Sequence, residues 1–164
     1  MSLIFDTHAH YDDEAFDADR EALLASMPEH GVGLILDPGC DLESSRRAVE
    51  LARTYPRVYA AVGWHPENCA PYTEDSLDAL RAWAREPKVV AIGEIGLDYH
   101  YDDVPRDVQH RVFARQLDLA CELGLPAVIH DREAHKDCID EVLARPALQC
   151  VFHSFSGSEE SARV

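Results

Sequence analysis

Positive charge is scarce in this sequence. Its 164 residues carry 15 Lys and Arg against 31 Asp and Glu, a formal net charge of −16. Gripping duplex nucleic acid along its backbone takes a basic footprint, because phosphate neutralisation supplies most of the affinity. This composition excludes a broad footprint, so a polyanionic substrate must be held locally, by bound cations or a few placed Arg side chains. Long apolar runs are missing as well: nothing approaches the ~18 uninterrupted apolar residues of a membrane-spanning helix, and no membrane partner is expected. The acidic, His-bearing start Met1-Ser2-Leu3-Ile4-Phe5-Asp6 lacks the basic region of a secretory signal, which points to a cytoplasmic protein. C-x-x-C pairs are absent; Cys40, Cys69, Cys121, Cys138 and Cys150 form an odd, scattered set that reads as free thiols in a reducing compartment. No linker, repeat or abrupt change of composition divides the chain, so residues 1–164 are read as one domain. With 46% hydrophobic and 28% charged residues, disordered and fibrous classes are excluded too.

What is present is an alternation. Short apolar, β-rich runs at Leu3–Asp6, Gly33–Leu36, Val58–Val62, Val89–Gly93, Pro126–His130 and Cys150–His153 alternate with amphipathic stretches. Helices are predicted over about Asp17–His30, Asp41–Tyr55, Glu74–Arg85, Asp107–Leu123 and Glu133–Arg145, with a sixth begun at Glu159 and running to Val164. Asp107 is read as an N-cap and Gly124 as the residue closing that helix. Pro56, Pro87, Pro126 and Pro146 each stand just after a helical stretch, where proline stops helices. Strands that are apolar on both faces and separated by helices indicate βαβ units and a parallel sheet. The strands recur about every 29 residues, so eight units would take roughly 235, near the ~250 of a (β/α)8 barrel. The six strands present suit either an open α/β sheet or the first two-thirds of such a barrel.

Metal-ligand residues recur where strands end. The first strand runs into Asp6-Thr7-His8-Ala9-His10, and in extended chain residues i and i+2 point to the same side, so both imidazoles can reach one cation. Alone this is weak, since nine His in such a chain give about 0.5 His-x-His pairs by chance. Later strands repeat the pattern with Gly63-Trp64-His65-Pro66, Gly93-Glu94-Ile95-Gly96-Leu97-Asp98-Tyr99, Ile129-His130-Asp131-Arg132 and Phe152-His153-Ser154-Phe155-Ser156-Gly157. In parallel α/β folds the carboxyl ends of the strands share the face where active sites lie. His8, His10, Glu94, His130 and His153 are therefore expected to converge. Glu94 would be costly to bury as an ion unless a cation or hydrogen-bond donors met it.

These motifs, in this order across the whole chain, resemble the TatD family of metal-dependent deoxyribonucleases, within the amidohydrolase-like (β/α)8 barrels. The resemblance implies an α/β fold of TIM-barrel type, with about the first six β/α units in this chain. It implies that His8 and His10 bind one divalent ion, that Glu94 bridges it to a second, and that His130 and His153 complete the second site. The family's late Gly-x-Glu-Thr-Asp motif and last two strands lie beyond the end of the sequence, so the chain is read as a C-terminally truncated domain. Two cations sharing a carboxylate can generate hydroxide near neutral pH and stabilise both oxygens of an in-line phosphoryl displacement. Mixed imidazole and carboxylate donors suit Mg2+, Mn2+ or Zn2+.

The expected function is thus divalent-metal-dependent hydrolysis at the ends of single-stranded or end-frayed DNA, with Glu94 in the catalytic role. The alternatives are a deacylase or other small-ester hydrolase on the same site, or a non-catalytic metal-binding fragment. His65 is a candidate substrate contact, or else a buried loop histidine bonded to backbone. Arg132 is a candidate phosphate ligand, or else a surface ion-pair partner of Asp131 or Glu133. Tyr99 or Tyr101 could stack on a base, or pack structurally. Asp98 is expected to position Arg132 or His65, and Asp6 to orient a ligand or cap its strand. His110 and His135 are read as solvent-facing on helices, and His100 as a polar-loop residue. Asp12, Asp13, Glu14, Asp17 and Asp19 are read as a solvated acidic run. The open sides of a six-stranded sheet would invite self-association.

Overall fold

The computed structural model describes residues 3–163. Its strands are β1 (Ile4–Asp6), β2 (Val32–Pro38), β3 (Val58–Val62), β4 (Val89–Asp98), β5 (Ala127–Arg132) and β6 (Cys150–Phe152). Between them run α1 (Arg20–Ser26), α2 (Leu42–Thr54), α3 (Glu74–Trp83), α4 (Arg106–Leu123) and α5 (His135–Leu143). All the strand pairs are parallel and each strand lies beside its sequence neighbours, in the order β1-β2-β3-β4-β5-β6. An order without reversal leaves no topological switch point, which separates this sheet from doubly wound α/β folds and makes it an arc of a barrel wall. Among the described residues no helix is long and apolar enough to cross a membrane.

Two apolar layers hold the arc. The larger one packs strand residues Val62, Ile92, Ile95, Ala127 and Ile129 against helix residues Ala48, Leu80, Phe113 and Leu117. The smaller one, Leu36, Ala61, Ala91 and Val128, holds strand residues only and so marks the concave face. Local chemistry fixes the helices. Asp41 caps α2 by accepting from the Ser44 N–H at 2.8 Å while the Ser44 hydroxyl returns to the Asp41 backbone, a reciprocal box. Gly124 ends α4 at φ 65°, as the sequence suggests.

The structure departs from the sequence reading at several element boundaries. The first predicted helix breaks after Ser26 into a 3-10 turn, Met27–His30, because Pro28 has no N–H to continue the α ladder. Helix α4 starts one residue early, with Pro105 at its N-cap position, leaving Asp107 in the first turn rather than capping it. Strand β4 does not stop at Gly93 but continues to Asp98, with an irregular register against β5 between Ile92 and Ile95. Gly96 permits that continuation: a Cβ there would lie 1.9 Å from the His130 carbonyl oxygen. The sixth helix appears as the 3-10 turn Ser161–Arg163, and its predicted last residue, Val164, lies outside the described residues.

Helix α4 also secures the strand ends. The buried Gln116 side chain accepts from the Trp64 N–H at 2.7 Å and donates to the Trp64 carbonyl at 3.0 Å. Gln109 does the same for Asp98, at 2.9 Å and 3.0 Å. Trp64 lies past the end of β3 and Asp98 is the last residue of β4, and the two amides supply hydrogen bonds to backbone groups at these strand ends.

Candidate metal centre

The strand ends converge on Glu94, which is 4% exposed. His8 Nε2 lies 3.1 Å from Glu94 Oε2, and His10 Nε2 lies 3.7 Å from the same oxygen. On the other oxygen, His130 Nδ1 sits at 3.0 Å and His65 Nε2 at 3.9 Å. The His153 ring stacks on His8 with centroids 3.4 Å apart. The sheet therefore curls far enough for residues just past its first and last strands to touch. Beyond β1, the His8 N–H donates to Asp6 Oδ1 at 3.1 Å, so Asp6 acts on the backbone of the turn.

Burial opposes the ionised form of Glu94, but hydrogen bonds from His10, His130 and His8 outweigh it and hold the carboxyl far below the usual range. The reciprocal effects differ by partner. The Glu94 hydrogen bond raises His10 against the lowering effect of burial. Burial would lower His130 too, but Glu94 and Asp98, whose Oδ2 is 2.9 Å from His130 Nε2, raise it. His65 goes the other way, pushed down to about 4 by burial and by the neighbouring His130. Its Nδ1 accepts from the Glu67 N–H at 3.3 Å, which leaves Nε2 as the protonated nitrogen facing Glu94. Burial, then the proximity of His8, lowers His153.

The donor set fits divalent ions. Ligand atoms of His8, Glu94 and His153 lie within 4.8 Å of one another, as do those of His65, Glu94 and His130, and of His10, Cys40 and Glu94. His8 Nδ1 is buried without a hydrogen-bond partner, while Nε2 of the same ring meets the carboxylate. The grouping sets His153 with His8 rather than with His130, unlike the pairing implied by the family resemblance. It also brings His65 and Cys40 close to the carboxylate.

The outlying candidates divide. Arg132 lies on the rim with its guanidinium 5.0 Å from the Tyr101 ring centroid, and makes no carboxylate ion pair among the described residues. Tyr99 is not brought to the cluster. Its hydroxyl donates to Asp137 Oδ2 at 2.5 Å and lies 2.7 Å from His110 Nε2, with Arg106 stacked 4.0 Å from the ring centroid. Strand alternation explains this: Asp98 faces His130, so its neighbour Tyr99 faces the helices. His110 is thus engaged rather than solvent-facing, and His135 likewise lies 2.7 Å from the buried Asp131. His100 pairs with Glu133 at 3.0 Å, away from Glu94. Asp98 holds His130, not Arg132 or His65. Asp12, read as part of a solvated run, is buried beside His10 and Asp37. Asp37 and Cys40 were missed; the signal was available in Asp37-Pro38-Gly39-Cys40, the polar end of the second strand.

Comparison with known proteins agrees with this architecture. The profile of the family described as TatD related DNase matches residues 5–164. The metal-dependent hydrolase YabD of Bacillus subtilis, described as uncharacterized, is 40% identical over 98% of this chain and 64% of its own length. The 3'-5' ssDNA/RNA exonuclease TatD of Cronobacter turicensis is 37% identical, with 98% of this chain and 62% of the relative covered. The crystal structure of YjjV, a TatD homologue from Escherichia coli K12, superposes with a TM-score of 0.87 at 37% identity, over 98% of this chain and 63% of the other. The chain thus spans less than two thirds of these relatives.

Proposed function

The chain belongs to the TatD-related DNase family, and from that premise we propose that it serves a divalent-metal-dependent hydrolase cleaving phosphodiester bonds at single-stranded or end-frayed DNA ends. The observation that carries this reading is the pair of imidazole sets meeting the two oxygens of one buried carboxylate, Glu94. His8, His10, Glu94, His130 and His153 are the residues proposed to hold two ions, Mg2+, Mn2+ or Zn2+, with Glu94 shared. When bound, such a pair supplies hydroxide near neutral pH and balances charge on the attacking and leaving oxygens.

The chain's own groups do the rest. Glu94 is held ionised by its imidazole neighbours and offers one oxygen to each side of the centre. Asp98 fixes the His130 ring through Nε2 and so aims Nδ1 at Glu94. His65, neutral at physiological pH, presents a donor from Nε2 beside the reacting position. Arg132 has five donors and no competing carboxylate, which suits a phosphate arriving at the rim. Tyr101 under Arg132 replaces Tyr99 as the base-stacking surface. The net charge of −16 favours holding one or two phosphates at an end over gripping a duplex. Five free thiols accord with a cytoplasmic location.

The test is release of nucleotides from end-labelled single-stranded DNA, with and without chelator. Chelation is expected to abolish it. Glu94→Gln and His130→Ala should each lower turnover at least ~100-fold, whereas His135→Ala should leave turnover per folded molecule unchanged. Equal loss in all three would remove the assignment. Turnover of an aminoacyl ester but not of DNA would move the substrate class.

A further inference from the structure

Two carboxylates beside the Glu94 centre, Asp12 and Asp37, have no role in that chemistry. Asp37, near the end of β2, is 0% exposed, and neither of its carboxylate oxygens has a hydrogen-bond partner. Asp12 lies next to it at 7% exposure, with its Oδ1 3.8 Å from His10 Nδ1. Ligand atoms of His10, Asp12 and Asp37 all fall within 4.8 Å of one another. A carboxylate withdrawn from water without a donor, and set beside a second carboxylate, is costly to keep ionised.

The position is built. Asp37 is in register with Ala60 of β3, so its backbone is part of the sheet rather than a loose loop. Two residues on, Gly39 is so close to α2 that a Cβ would lie 2.2 Å from Ser45 Oγ, and its N–H donates to the Ala61 carbonyl at 2.9 Å. The β2 end therefore has little freedom to swing the Asp37 carboxylate out to water.

We propose that His10, Asp12 and Asp37 form a further divalent-cation site, adjacent to the Glu94 centre and distinct from it. Two carboxylate oxygens and an imidazole nitrogen favour Mn2+ or Zn2+ over ions that demand oxygen alone. His10 links the two places: Nε2 faces Glu94 and Nδ1 faces Asp12. A neutral imidazole has one lone pair to give, so His10 serves one centre at a time. Filling this site draws His10 from the Glu94 centre, a consequence that rests on the two-ion reading; the existence of the site does not.

Equilibrium dialysis against Mn2+, with bound metal counted by mass spectrometry, tests the proposal on the full chain, Asp37→Asn, Glu94→Gln and the double variant. Asn is isosteric and uncharged, so the fold should persist, and thermal melting checks it. Glu94→Gln is expected to keep one ion that Glu94→Gln/Asp37→Asn loses, and Mn2+ should raise the Tm of the first but not of the second. Equal ion counts in these two variants would overturn the site. So would an Asp37→Asn chain that melts higher without metal and keeps the full Mn2+ response, because Asp12 and Asp37 would then simply share a proton. If Glu94→Gln binds as many ions as the unaltered chain, the Glu94 reading fails, while loss of an ion on Asp37→Asn still supports this site.

Discussion

At the residue scale, His65 and Glu94 lie side by side, Nε2 3.9 Å from Oε1, and are driven to different charge states, one neutral and one ionised. Glu94 stays ionised because imidazoles meet it on both oxygens, while His65 is left neutral by burial beside a competing imidazole. The His65 shift has a measurable consequence in the metal-free chain. With a pKa near 4 folded and an ordinary value of 6.5 unfolded, only the unfolded chain takes up this proton as pH falls through that window. Its contribution is thus present above pH 6.5 and lost on acidification, by about 2 kcal/mol between pH 7 and 5. Urea unfolding of the His65→Gln variant should show that much less acid sensitivity than the unaltered chain; an identical pH slope would contradict a neutral buried His65. The convergence of His8, His10, Glu94, His130 and His153 was legible because strand ends were legible. Tyr99 was misread because the alternation along β4, which sends Asp98 to His130 and Tyr99 to the helices, depends on a strand longer than its apolar run. Asp12 was misread because its neighbours in sequence are exposed acids while its neighbour in space is Asp37.

At the scale of elements, apolar runs, proline stops and the Gly124 terminator located the strands and helices, since each reflects local backbone chemistry. Boundaries failed where tertiary contacts decide them. Strand β4 extends past Gly93, with polar Glu94 and Asp98 alternating with buried Ile95 and Leu97, because Gly96 can lie against β5 and Gln109 satisfies the Asp98 backbone. Gln116 reads as an ordinary polar helix position, yet it meets Trp64 from 52 residues away. Replacing Gln116 with Leu strands a buried N–H and a carbonyl at the turn that presents His65. The expected cost is about 2–4 kcal/mol for the two groups together, measured by denaturant unfolding. A loss below about 0.5 kcal/mol would show that the amide bridge does not secure this turn.

At the scale of the whole molecule, the arc of six strands ends on β1 and β6, and neither has a further strand beside it among the described residues. Ile4 is 65% exposed and Val151 50% exposed at these two edges, where unpaired backbone groups and apolar side chains both favour another chain. The 164 residues should therefore self-associate, with a scattering mass above 18.4 kDa that rises with concentration; a constant monomer mass would contradict this. The residues around Glu94 nevertheless assemble within the arc, since His8 and His153 touch across it. Anomalous diffraction from crystals soaked in Mn2+ tests most directly whether this face is a metal centre. Peaks are predicted on both sides of the Glu94 carboxylate, within bonding reach of the His8, His10, His130 and His153 rings. Ion-loaded crystals with no peak beside Glu94 would contradict the assignment.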